Sequence, residues 1–463
     1  MPYEGEFASK TAHSEFIKNP DVAAFLNECT YLTTPSDEEA EAMAAKFLQP
    51  PQSDGSLTEF VISVDGSNYE SSIDDKLPST KVGYIKIGAV LFPMEKFDSL
   101  RDGKYVDPFK VAELKDQSTA LTFSVPSANI RWGGKSNVRD SFRAILDQQF
   151  LSSSTRFEEG NYHSSLRSTL FELASRRPRE MHTGDPFRLI IYKCPDCGGG
   201  PIEVEDKEEQ QYCSFCEGEV YPTDCLRLWE EINDYQSNQV AISRLMLILE
   251  HLIPIHYMRL FYRRAYLNLS RIAFFIDGPL AIFGTAAWMH RSIMIYINEI
   301  NQKLIRKNQL PMVIIGLQKT GQVLDHVALI DRFIPENRLF AIDDDYRYKY
   351  ILSGREPSAN GFGFETYYGQ DFIYKTPSGR TFVMGLPYSF DSKDLHGMDF
   401  PREKVKWEHY PQLDLTLKMI NHLESDLYKN AVVPIALAHR YTAISLQPGG
   451  HVLDLITRRT LNL

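Results

Sequence analysis

No stretch of this 463-residue chain approaches eighteen apolar residues without a charge, so no segment reads as an obvious membrane span. The first residues, Met1-Pro2-Tyr3-Glu4-Gly5-Glu6, carry neither the basic flank nor the apolar core of a secretory signal. A cytoplasmic protein with no membrane partner is therefore expected. Cysteine is scarce: six residues cannot staple a chain of this length, and four of them fall in two Cys-x-x-Cys pairs, which favours metal binding over disulfides. Cys29 and Cys225 are left over. Basic charge is not in excess either. With 50 Lys and Arg against 61 Asp and Glu, the net charge of −11 argues against a surface that coats nucleic acid all over, because phosphate binding depends on clustered cations. Only local clusters remain, at Arg259, Arg263, Arg264 and Arg271, at Arg176, Arg177 and Arg179, and at Arg458 and Arg459. Each reads equally as a solvated helix face or as a phosphate track.

What is present is a globular composition, 43% hydrophobic and 24% charged, able to bury a sizeable core. The chain is organised around Arg271-Ile-Ala-Phe-Phe-Ile-Asp277-Gly278-Pro279-Leu280, a short apolar run that reads as a buried strand delivering an acid at its C-terminal end. Phe60-Val-Ile-Ser-Val-Asp65-Gly66-Ser67 repeats the pattern, so two strands are expected to end in Asp-Gly. Ahead of Asp277, a helical pattern from Ile242 to Leu260 carries Glu250 inside an apolar stripe.

In chain order, residues 1–55 read as an acidic helical extension, with Ser36-Asp37-Glu38-Glu39 a helix start and Pro50-Pro51 a stop. Lys81 to Phe92 reads as a strand antiparallel to the Asp65 strand, and residues 119–133 offer another. Helices are expected over 137–150 and 161–177, and through most of 226–269 with a kink or break at Pro254. A helix over 286–306 joins the Asp277 strand to an apolar strand over 311–317, forming a parallel crossover that leaves Lys319 just past the strand end. Residues 362–389 read as a hairpin around Pro377-Ser378-Gly379, residues 411–428 as an amphipathic helix, and Val432 to Ile444 as an apolar run interrupted by His439. The expected organisation is α/β: one large discontinuous domain, 56–189 with 226–463, and a small insert at 190–225.

The insert carries Cys194-Pro-Asp-Cys197-Gly and Cys213-Ser-Phe-Cys216-Glu, with fifteen residues between the inner cysteines. Four thiolates at that spacing can close a tetrahedral zinc site. Four cysteine ligands leave no open position, so the zinc is expected to be structural, folding a knuckle that touches DNA or a partner chain.

Asp65, Glu250 and Asp277, with His439, form a candidate hard-cation site, since carboxylate oxygens suit magnesium or manganese and imidazole is acceptable to manganese. Two such ions can activate water and stabilise the leaving oxygen of a phosphodiester. Singly, each residue has a plainer reading: Asp-Gly suits turns, a helix glutamate is usually solvated, and a histidine in an apolar run is usually a hydrogen-bonded core residue.

The order Val64-Asp65-Gly66-Ser67, then a helix with Arg244 and Glu250, then Ile276-Asp277-Gly278-Pro279-Leu280, then Gly316-Leu-Gln-Lys319-Thr320, then Pro434 to His439 resembles the NurA family of DNA-repair nucleases from about residue 58 to the C-terminus. The resemblance implies an RNase H-like mixed sheet with flanking helices, manganese- or magnesium-dependent DNA cleavage, a homodimer, and association with the HerA-type hexameric ATPase in end resection or anti-phage defence. It assigns metal-site roles to Asp65, Glu250, Asp277 and His439, and a catalytic position to Lys319. The zinc insert lengthens the interval after Asp65, which leaves Glu172, following Arg167, as an alternative third acid. Glu250 is preferred because its helix directly precedes the Asp277 strand. Val433 stands where the family pattern has a tyrosine before the proline. Two other functions remain open: a non-catalytic DNA-binding adaptor of a translocase, and an RNase H-like nuclease acting on RNA or a hybrid duplex.

Overall fold

The computed structural model describes residues 11, 13–29, 34–51, 55–74, 76–102, 105–106, 118–159, 162–178, 181–394, 397, 399–425, 430–444 and 449–460. Apolar runs rich in β-branched and aromatic residues form one eight-stranded sheet. Its strands are β1 (Phe60–Asp74), β2 (Leu77–Pro93), β3 (Ser118–Pro126), β4 (Ile272–Asp277), β5 (Val313–Gln318), β6 (Arg338–Ala341), β7 (Gly369–Lys375) and β8 (Thr381–Pro387). They lie in the order β6-β7-β8-β5-β4-β1-β2-β3. β1, β4 and β5 run parallel, and every other neighbouring pair is antiparallel. The five strands from β3 to β5 form an RNase H-like mixed sheet, and the hairpin of β7 and β8 with edge strand β6 extends it.

The helices that matter for the site are α1 (Asp37–Ala44), α2 (Val138–Phe150), α3 (Leu166–Ala174), α4 (Gln239–Ala265), α5 (Met289–Ile305), α6 (Leu413–Leu423), α7 (Val433–Thr442) and α8 (Gly449–Thr460). Side chains alternate faces along a strand. A Cβ on Gly66 of β1 would meet Glu250 and Met246 of α4, whereas one on Gly88 of β2, the register partner of Asp65, would meet Tyr441 and Thr442 of α7. α4 and α7 therefore pack on opposite faces of the same two strands. α5 is the crossover between the parallel strands β4 and β5, as the sequence indicates.

β4 is buried from Ile272 to Ile276. Phe274 and Phe275 are fully enclosed, each worth about 1.5–3 kcal/mol of burial. α4 is long and apolar enough to cross a membrane by length and composition, but here it is mostly buried inside the protein. At the N-terminal end, Ser36 caps α1 in a reciprocal capping box with Glu39. Ala40, Met43, Ala44 and Phe47 join a second core under the outer strands, and Leu48 bridges to Leu339 of β6.

Several expectations change. β1 does not stop at Asp65-Gly66 but runs on to Asp74, paired along its whole length with β2, so the dipeptide is not a turn. Pro254 lies inside an unbroken α4, while the segment before Gln239 is short 3-10 turns rather than helix. The helix expected over 161–177 is α3, preceded by the short strand Tyr162–Ser164. Residues 426–429 of the expected helix over 411–428 lie outside the described residues, as do 1–10, 12, 30–33 and 52–54 of the N-terminal extension. The apolar run with His439 is helix α7, with Pro434 in its first turn.

The basic clusters are in part internal. Arg259 is buried and bonds Ser164, Ser168, Thr169 and Glu172. Arg176 pairs with Glu172 and Glu299, and Arg271 with Glu59. Arg179 lies outside the described residues.

Candidate functional site

The parallel register Val64 to Ile276 puts the next residues of β1 and β4, Asp65 and Asp277, side by side on one face. Leu317 pairs with Asp277, so Lys319, two residues on, reaches the same spot. Lys319 Nζ is 2.8 Å from Asp277 Oδ2 and 3.6 Å from Asp65 Oδ2. The two carboxyl groups lie close enough for each to shift the other's ionisation, and Gly66 N–H donates to Asp65 Oδ1 at 2.9 Å. From α7, His439 Nδ1 lies 2.8 Å from Asp65 Oδ2. From α4, the carboxylate of Glu250 comes up against Gly66 and feels the charges of both aspartates. The structure thus brings together Asp65, Glu250, Asp277, Lys319 and His439.

Water reaches this cluster unevenly. Asp65 is 1% exposed and Glu250 3% exposed, whereas His439 is half open to solvent. Burial alone would raise Asp65, but the bond from His439, the Lys319 ammonium and the neighbouring Asp277 carboxyl outweigh it and hold Asp65 below its ordinary value. Burial and the neighbouring Asp65 charge push Asp277 up to about 6, against the pull of Lys319. Burial, then the two aspartate charges, push Glu250 well above the usual carboxylate range. The Asp65 bond raises His439. Two aspartates thus share one ammonium, Glu250 lies near enough to feel all three charges, and Asp277 and Glu250 are disfavoured as anions. Oxygen donors with one imidazole suit magnesium or manganese, whose double charge would relieve that repulsion more fully than Lys319 does.

The cysteines form a separate cluster. Cys194, Cys197, Cys213 and Cys216 have their sulfurs within 4.8 Å of one another. The Cys194–Cys216 and Cys197–Cys213 separations are 3.7 Å and 3.9 Å, close to the edge of about 3.8 Å that a tetrahedron with metal–sulfur bonds of about 2.3 Å requires. Backbone N–H groups of Asp196, Gly199 and Phe215 point at sulfurs from 3.4 Å. Burial opposes ionisation of Cys213, yet the N–H groups of Phe215 and Cys216 bring it down to about 7. The insert is not an appendage. Ile191, Cys194, Ile202, Val204, Cys213 and Val220 belong to the main core, and buried Arg143 of α2 pairs with Asp224 at 2.8 Å.

Comparison with known proteins adds the family. The model of the NurA domain family matches residues 60–444, most of the chain, and spans every residue of the acid cluster. This chain belongs to the NurA family. The crystal structure of the NurA nuclease from Sulfolobus solfataricus is similar at 9% identity, over 98% of this chain and 95% of that one, with a TM-score of 0.34. A second NurA crystal structure is similar at 12% identity, over 96% and 97%, with a TM-score of 0.30. No curated protein matches the sequence.

Within this NurA-family chain, the alternative acid Glu172 sits elsewhere. It pairs with Arg176 at 2.8 Å and Arg259 at 3.4 Å, and its charge partners are arginines rather than the aspartates. The sequence reading missed two glycines. A Cβ on Gly66 would fall 2.7 Å from Glu250 Oε1, and one on Gly88 would fall 2.6 Å from Thr442 and 2.8 Å from Tyr441. Gly66 gives Glu250 room on one face, and Gly88 lets α7 settle close enough for His439 to reach Asp65 on the other. A glycine inside a strand marks such close approach, a signal that the expected strand end at Asp65-Gly66 conceals. Gly66→Ala is expected to push the Glu250 carboxylate aside and lower divalent-dependent cleavage at least about tenfold, with a smaller fall in melting temperature because Ile87 and Met246, each 2.8 Å from the new Cβ, must also give way. Wild-type rates in that variant would show that the close approach has no bearing on activity.

Proposed function

We propose that this chain is a divalent-metal-dependent DNA nuclease in which Asp65, Glu250, Asp277 and His439 hold the ion and Lys319 assists. The observation that carries the reading is the register of β1 and β4, which sets Asp65 beside Asp277 with Lys319 across both. Membership of the NurA family supports a nuclease acting on DNA. A divalent ion there would activate water and stabilise the leaving oxygen of a phosphodiester. His439 fixes the orientation of Asp65, Gly66 N–H holds its other oxygen, and the Lys319 ammonium is placed to meet a phosphate oxygen once an ion takes over the aspartates. The protein works as a homodimer with a HerA-like hexameric ATPase that feeds it DNA, in end resection or in defence against foreign DNA, in the cytoplasm. The cysteine cluster holds a structural zinc ion.

The test is degradation of linear DNA by the purified chain, alone and with its ATPase, across manganese and magnesium titrations. Manganese-dependent loss of DNA is expected. No cleavage under any of these conditions would favour the adaptor reading, and cleavage confined to RNA or hybrid duplex would replace the substrate.

A pH-dependent prediction follows from the acids. The folded pKa of Asp277, about 6, lies above its unfolded value, so between about pH 4 and that value the folded chain holds more protons than the unfolded one. Its contribution to stability therefore falls as pH rises through this window, and Glu250 acts in the same direction. Asp65, held low, contributes stability that is lost only as pH falls through its folded pKa, and His439, raised, contributes stability that is lost as pH climbs through its own. A divalent ion competes with the protons on Asp277 and Glu250. The rise in melting temperature produced by manganese should be small at pH 5 and large at pH 7, measured by scanning fluorimetry. An equal rise at both would contradict the assignment.

A further inference from the structure

A groove of about 640 Å³ opens between the cysteine insert and the loops around Phe364 and Asp394, a size typical of ligand sites, about 300–1,000 Å³. Arg177, Tyr192, Arg227, Trp288, Arg291 and Phe364 line it. Each guanidinium lies over an aromatic ring: Arg177 is 4.3 Å from Trp288, Arg227 5.5 Å from Tyr192 and Arg291 5.0 Å from Phe364. Arg227 is neutralised by Glu230 at 2.5 Å, and Arg291 by Asp394 at 2.6 Å, with Glu365 at 3.7 Å.

Arg177 differs. It is 8% exposed, its Nη1 donates to Ile190 O at 2.9 Å, and among the described residues no carboxylate pairs with it. Five N–H donors on a buried cation leave most of its hydrogen-bonding capacity for something in the groove. Burial lowers its pKa, a penalty that an anion would offset. In the same groove, Tyr192 is 58% exposed, which leaves the ring side away from Arg227 open. The stretch from Asp277 to Arg291 lines first a cleft that includes Asp277 and Phe283, and then this groove.

We propose that this groove binds an unpaired nucleic-acid strand, with Arg177 on a phosphate and Tyr192 stacked on a base. Ring faces on the protein engage only bases whose own faces are free, and a duplex hides them. The carboxylates at Arg291 repel phosphate there, which leaves Arg177 as the cation that receives it. The cysteine insert thereby acquires a role, since it supplies Tyr192 and braces the groove wall. That the bound strand continues to the acid cluster rests on the nuclease reading; that it binds here does not.

The test is fluorescence anisotropy of a short labelled oligothymidylate with the full chain and no added divalent ion, together with photocrosslinking of an iodouracil-substituted strand. Tyr192→Ala and Arg177→Met should each weaken binding about tenfold, with Tyr192 or Trp288 carrying the crosslink. Tyr212→Ala, exposed on the same insert but outside the groove, serves as the control and should bind as wild type. If Arg177→Met does not fold, Tyr192→Ala decides. Wild-type affinity in Tyr192→Ala, crosslinks confined to other surfaces, or equally tight duplex binding with the same dependence on Tyr192 would overturn the proposal. No cleavage is needed for these readouts, so a failed nuclease assay and a failed binding assay refute different statements.

Discussion

Asp277→Ala is expected to abolish divalent-dependent degradation of linear DNA, a loss of about a thousandfold or more in rate, with the fold retained. Asp277 ends a fully buried strand and is itself only partly exposed, so truncating it removes charge without opening the core. The remaining Asp65 and Glu250 stand on different elements and cannot reproduce the paired oxygens. Asp65→Ala should do the same. It removes the acceptor for His439 and Gly66 and leaves Lys319 with Asp277 alone. His439→Ala should be milder, because a neutral imidazole contributes position more than charge. Plasmid and oligonucleotide cleavage assays with manganese measure all three. Activity that survives in the Asp65→Ala, Asp277→Ala double variant would put the active site elsewhere in the chain.

The second large effect concerns the cysteines. Cys194→Ser is expected to cost the bound zinc and to lower the melting temperature of the whole protein by about 10 °C, since structural zinc sites supply about 10–16 kcal/mol of binding free energy to the folded state and a cooperative unit of this size loses about 1 °C per kcal/mol. A detached knuckle would unfold alone. Here Cys194 and Cys213 are buried in the main core, and the Arg143–Asp224 pair fastens the insert to α2, so its loss should spread. Elemental analysis of the wild type should return zinc in stoichiometric amount, and calorimetry of the variant should show the downshift. Reduced wild-type protein free of zinc, or a variant that melts as wild type does, would refute the role.

Much of the fold was legible because the inner strands β4 and β5 and the first half of β1 are short apolar runs between polar stretches. The Asp65 and Asp277 runs, the crossover through α5 and the hairpin around Pro377-Ser378-Gly379 could all be read in one dimension. Register could not. Nothing in the sequence states that Val64 faces Ile276, and that pairing alone sets the two acids side by side. Local signals misled where tertiary packing overrode them. Asp-Gly suits a turn, but β2 pairs with β1 straight through Gly66, and Pro254 sits among buried neighbours inside a helix that continues past it despite the missing N–H. Charge was the least legible feature. Arg259 and Arg176 read equally as solvated face or phosphate track, yet they pair with Glu172, and Arg176 also with Glu299. The groove cation Arg177, in the same run of sequence, differs from them only in what folds around it.

The claim at the centre is that Asp65, Glu250, Asp277 and His439 hold the ion that drives cleavage, and the most direct measurement is anomalous scattering at the manganese edge from crystals grown with manganese and a bound DNA strand. The expected result is a peak about 2 Å from the carboxylate oxygens of both Asp65 and Asp277, where the Lys319 ammonium now bridges them, and its loss in Asp277→Ala. Manganese found only at other sites, with the Lys319 bridge intact while the same protein cuts DNA in solution, would contradict it.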